Sequence, residues 1–197
     1  DVSFGVDLPP GESLELFVLH QDQTDVELAG QAFDLDLLQT DAVELTWSSA
    51  ATSWADHVEV EVWYNDTHLK GSSQRAGKRR IIPLFVEANL TGSTEAESLS
   101  SGAMIQSEWM LSQNSQLAAG LDFRFIRQGL EEDLMVFGVP SHGPIPESVS
   151  SNPGVFVELQ NRPTEDLFVM AGARMDLVDS EVIDDSSRLQ NLNFGEG

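Results

Sequence analysis

Cysteine is absent from this 197-residue chain, which excludes disulfides, thiolate metal sites and a cysteine nucleophile. Cations are scarce: 10 Lys+Arg stand against 33 Asp+Glu, a formal net charge of -23. Phosphate contact depends on Lys and Arg, so nonspecific nucleic-acid binding is disfavoured. No apolar run approaches the roughly 18 residues that a membrane-crossing helix needs, and the chain is expected not to span a membrane. Helical periodicity is also scarce, with two short candidates, Ser93–Ser98 and Gln113–Ala119. The chain has no Gly-x-Ser-x-Gly elbow, no phosphate-binding glycine loop and no His-Glu-x-x-His pair. No enzymatic activity, cofactor or metal is therefore expected. The sequence begins at Asp1 rather than Met, as expected of a trimmed precursor or of missing earlier residues.

Acidic residues run through the whole chain rather than forming one tail. In dilute buffer such a molecule repels itself, and in molar salt the Debye length falls to roughly 3 Å and the repulsion fades. The expectation is a salt-adapted protein with hydrated carboxylates over its surface. Hydrophobic residues make up 41% of the chain, enough for a core.

The dominant period is two, as in half-buried strands. Leu14, Leu16 and Val18 alternate with Glu15 and Phe17; Phe33, Leu35 and Leu37 with Asp34 and Asp36. Val43, Leu45 and Trp47 alternate with Glu44 and Thr46; Val58, Val60 and Val62 with Glu59 and Glu61. Leu121, Phe123 and Phe125 alternate with Asp122 and Arg124. Further strands are expected at 81–86, 103–111, 134–139, 155–159, 167–170 and 173–178. About ten or eleven strands of ordinary length imply an all-β antiparallel fold, a β-sandwich of jelly-roll type. The expected organisation is an N-terminal arm over 1–11, a sandwich over 12–178 and an acidic C-terminal arm over 179–197. Ser141–Gly154 holds Pro144, Pro146 and Pro153 and reads as a long loop.

Half of all the cations, Lys70, Arg75, Lys78, Arg79 and Arg80, lie in one short segment. Two readings compete: docking to an acidic neighbour or lipid headgroups, or pairing with the protein's own carboxylates. Leu189, Leu192 and Phe194 in the acidic tail are candidates for an inter-subunit arm. His57 and His68 flank one strand beside Asp56 and Asp66, but at no recognised ligand spacing. Asp34-Leu35-Asp36 and Asp184-Asp185 lack the glycine and glutamate positions of a calcium loop. Asn65-Asp66-Thr67 and Asn89-Leu90-Thr91 fit the glycosylation pattern. Trp47, Trp54, Trp63 and Trp109 suggest core, with Trp54 the most exposed.

The acidic composition, few lysines, absent cysteine, strand count and arm-like ends give the chain a general character. In that character it resembles the single jelly-roll major capsid proteins of haloarchaeal icosahedral viruses with an internal membrane. The resemblance implies a structural protein of the virion shell, assembling as homo- or hetero-oligomers with other capsid subunits, without catalysis. The alternative is a binding module of a salt-adapted extracellular or envelope protein, a carbohydrate-binding sandwich.

Overall fold

The computed structural model of the protein describes residues 1–8, 11–28, 34–50, 52–73, 90–136, 139–142 and 145–183. Ten strands account for most of them: β1 Val2–Leu8, β2 Glu12–Val26, β3 Asp34–Ser49, β4 His57–Ser72, β5 Leu90–Ser112, β6 Ser115–Val136, β7 Val139–His142, β8 Ile145–Thr164, β9 Leu167–Asp176 and β10 Asp179–Val182. All pair antiparallel in one sheet, ordered β1-β2-β3-β4-β5-β6-β8-β10, with β7 on β6 and β9 on β8. The all-β antiparallel expectation holds. Within that class each long strand follows its neighbour up and down, rather than in the Greek-key order of a jelly roll. Among the described residues, no second sheet covers either face.

The strands are far longer than expected. β2, β3 and β4 have 15, 16 and 16 residues, and β5, β6 and β8 have 23, 22 and 20. Ordinary strands have about 5–6. The apolar runs seen in the sequence are only their middles. The polar ends read as turns, but the ladder pairs them. Thr40 and Thr67 hydroxyls meet at 3.3 Å, and Lys70 Nζ lies 2.8 Å from Glu95 Oε1. Cross-strand partners of this kind stabilise polar sheet. For the same reason Ser93–Ser98 and Gln113–Ala119 are not helical: the first lies in β5, and the second forms a tight turn entering β6.

The described residues of the expected loop, 141–142 and 145–154, are strand, and Pro153 shows how a proline is tolerated there. Pro153 carries no N–H to donate. It lies opposite Phe123 on one side. On the other, β9 pairing ends at Asp176 and β10 pairing begins at Asp179. The missing donor falls in that gap, where the Pro153 carbonyl accepts from Leu177 N–H at 3.0 Å. The segment expected as an N-terminal arm is extended and paired, with Val2 to Leu8 laddered onto Val18 to Glu12. Gly11 closes that hairpin at φ 88°, a conformation that favours glycine.

Register places the alternating sets on opposite faces. One row across the sheet reads Val6, Leu14, Trp47, Val60, Ile105, Leu121, Val155 and Met175. The next apolar row reads Phe4, Leu16, Leu45, Val62, Ala103, Phe123 and Pro153. Between them, on the other face, run Gly5, Glu15, Thr46, Glu61, Met104, Asp122, Gly154 and Asp176. The acidity is thus segregated to one face and to the strand ends, not spread as a uniform skin. The apolar face is not a core: Leu121 is 58% exposed and Ile105 39%. The buried hydrophobics named among the described residues are Leu35, Ala55 and Val58.

Candidate functional site: the concave polar face

The polar face is the concave one. A cavity of about 900 Å³ opens on it, lined by Phe17, Glu44, Glu61, Trp63, Asn65, Met104, Asp122, Arg124, Asn152, Arg174 and Asp176 among others. Each of these belongs to the polar phase of its strand. β3 and β4 supply an acidic wall through Glu44 and Glu61. The opposite wall is an ion-paired cluster. Arg174 on β9 grips Asp122 on β6 with two bonds, Nη1 to Oδ2 at 2.7 Å and Nη2 to Oδ1 at 2.8 Å, and its Nε donates to Asp176 Oδ1 at 2.9 Å. Such forked guanidinium–carboxylate pairs fix geometry as well as charge.

Glycine makes that cluster possible. A Cβ on Gly154, between Asp122 and Asp176 in the row, would collide with the Arg174 guanidinium. Two further glycines lie beneath aromatic rings. The Trp63 indole covers Gly102 directly opposite, and the Phe156 ring covers Gly120, each where a Cβ would overlap the ring. Aromatic cover of a glycine is a known device for holding register in a curved sheet. Asn152 Oδ1 is buried and has no hydrogen-bond partner; it borders the cavity. Asp122, Asn152, Gly154 and Arg174 were not singled out from the sequence. The available signal was the two-residue spacing of charge in Asp122-x-Arg124 and Arg174-x-Asp176.

The expected site residues fare differently. Lys70 pairs with Glu95, as an internal ion pair requires; it holds the Glu95 carboxyl below the ordinary carboxylate range. Arg75, Lys78, Arg79, Arg80, Leu189, Leu192, Phe194 and the Asp184-Asp185 pair lie outside the described residues. His57 and His68 stand at opposite ends of β4 and do not converge. Asp56 is instead engaged by Met110 N–H at 2.7 Å. Buried Asp34 accepts from Leu28 N–H at 2.9 Å. Asn65 faces the polar side, its Oδ1 accepting from Thr67 Oγ1 at 3.1 Å. The tryptophans do not form a core. Trp54 is 54% exposed, and its backbone carbonyl accepts the Trp109 indole N–H at 2.6 Å, the two rings 6.4 Å apart.

No protein-family model and no curated protein matches the chain. Among solved structures it is similar to one described as the copper transporter OprC, with a TM-score of 0.71 and 17% sequence identity. The match covers 90% of this chain and 28% of that one, so the chain spans little more than a quarter of the structure it resembles. At this identity the likeness concerns the fold. With the uncovered apolar face, it overturns the expectation of a capsid subunit, whose sandwich would bury that face between two sheets.

Proposed function

We propose that this chain forms wall of a membrane-spanning β-barrel of the outer-membrane type, with lipid against its convex apolar face and water against its concave polar face. The observation that carries this reading is the uncharged belt. On β6 it runs Leu117, Ala119, Leu121, Phe123, Phe125, and on β8 Pro153, Val155, Val157, Leu159. About nine residues of tilted strand cross a bilayer, and an outward apolar band about 25 Å tall is the mark of such barrels. An apolar surface of this continuity is not left in water.

Two further features support it. The belt slides along the ladder from the Val2–Val18 row toward the Leu159–Ala171 row, as strands tilted to the membrane require. At one end the connections 9–11, 113–114 and 165–166 have two or three residues, with 50–56 the exception, whereas at the other the 73–89 connection is far longer than any of these, in keeping with the asymmetry of outer-membrane barrels. Expecting no membrane span from the lack of an apolar helix overlooked that strands cross with half as many residues, every second one polar.

The transport title of the similar structure supports a role in moving solutes. The acidic inner face favours cations or neutral polar solutes over anions. Insertion tests the reading. Leu121→Arg, on the belt, should cost about 2–4 kcal/mol of stability in bilayers and block insertion into phosphatidylcholine vesicles. Gln106→Arg, on the inner face, should insert normally. Equal insertion by both variants would refute the lipid assignment.

A further inference from the structure

We propose that His68, Glu95 and Glu97 form a binding site for a divalent transition-metal ion of the zinc or cupric class, on the outward surface of β4 and β5 beyond the apolar belt. This assignment does not rest on the membrane reading; it follows from the ladder. His68 stands opposite Glu97, and its neighbour Lys70 opposite Glu95. Glu95 and Glu97 are two apart on β5, so they share a face with His68 across the strand pair. One ligand atom from each of the three residues lies within 4.8 Å of the others.

The arrangement is close to a metal site without needing backbone movement. Zinc takes imidazole nitrogen at about 2.0–2.1 Å and carboxylate oxygen at about 2.0–2.2 Å, which brings neighbouring ligand atoms to roughly 3–3.5 Å. His68 Nε2 lies 3.4 Å from Glu95 Oε1 and its Nδ1 3.5 Å from Glu97 Oε1; one ring nitrogen takes the ion, so one of the two carboxylates must swing round the ring to join the other. The imidazole is the more enclosed partner; the exposed Glu97 chain can rotate inward, whereas Glu95 is held by Lys70. One nitrogen and two carboxylate oxygens leave positions open for water. Imidazole in the set favours zinc, copper or nickel over calcium and magnesium, which take oxygen.

Lys70 is the built-in competitor. Its ammonium occupies the Glu95 oxygen that the ion needs, so metal must displace it. A site made of these three residues therefore tightens when Lys70 loses its charge, which a scattered surface histidine would not do.

The test is zinc titration by calorimetry on the full chain, folded in detergent, with circular dichroism confirming strand content of each variant. His68→Gln and Glu97→Gln should each weaken the site at least tenfold. Lys70→Met should tighten it severalfold, and His20→Gln should leave it unchanged. Unaltered affinity in His68→Gln or Lys70→Met would overturn the site, as would equal weakening by His20→Gln. If His68→Gln does not fold, the Glu97→Gln and Lys70→Met pair decides by the same criteria.

Discussion

Single residues hold the sheet in register where charge and bulk alternate. Gly102 and Gly120 matter because of what lies over them, the Trp63 and Phe156 rings. Gly102→Ala should force the indole aside and cost about 1–3 kcal/mol, the usual penalty for overpacking, read as a lower urea midpoint in detergent. Trp63→Ala in the same background should recover only part of it, since the ring clash goes but the Phe123 carbonyl stays in the way. A second residue-scale case lies just past the belt, where His20 Nδ1 meets Asp41 Oδ1 at 2.6 Å. The carboxylate raises the His20 imidazole above its ordinary range. The sign follows: this pair stabilises most fully below the unfolded imidazole pKa of about 6.5 and is lost as pH rises through the higher folded value. An NMR titration should show His20 changing charge above the ordinary value, and Asp41→Asn should return it to normal.

At the scale of elements, length is the deciding quantity. A 22-residue β6 is about four strands' worth of chain by soluble-protein standards. Its middle is apolar on one side, and its far end carries Gln128, Glu131, Glu132 and Asp133. The hairpins tie each strand to the next. At the short-turn end Trp54 and Trp109 pack together at the margin of the belt, the place where indoles suit a membrane–water boundary. Single-tryptophan variants in brominated-lipid vesicles should therefore sort by depth. Trp47, inside the belt, should be quenched by deeply brominated chains. Trp54 and Trp109 should respond to shallow bromines, and Trp63 on the inner face to neither. Deep quenching of Trp63 would show that the two faces have been assigned the wrong way round.

Among the described residues the molecule is one sheet with an apolar and a polar side. Its acidic residues gather on the polar side and at the strand ends, which leaves the apolar side suited to the lipid contact proposed above. Polarised infrared spectroscopy of the protein in oriented bilayers should report strands tilted roughly 35–45° from the membrane normal. A protein that stays monodisperse in water without detergent, and leaves bilayers untouched, would contradict this. Much of the fold was legible beforehand. The alternation at 14–18, 43–47, 58–62 and 121–125 marks strands, and their apolar members do share one face. The site was less legible: Arg174 and Asp122 are 52 positions apart, and only the ladder brings them over Gly154.

What the sequence by itself determined is the phase of each strand: which side chains lie together and which oppose them. That follows from the two-residue period of extended backbone, a local property. Only the tertiary structure decided that the apolar side stays uncovered among the described residues. Alternation looks the same whether a greasy face turns toward another sheet or toward lipid, because both are dry. Strand length and the lack of a covering sheet among the described residues support the lipid reading proposed here, and both arise from pairing between distant segments. The same pairing brought His68 to Glu95 and Glu97 and carried it away from His57, which lies nearer in the chain but at the opposite end of a rigid strand.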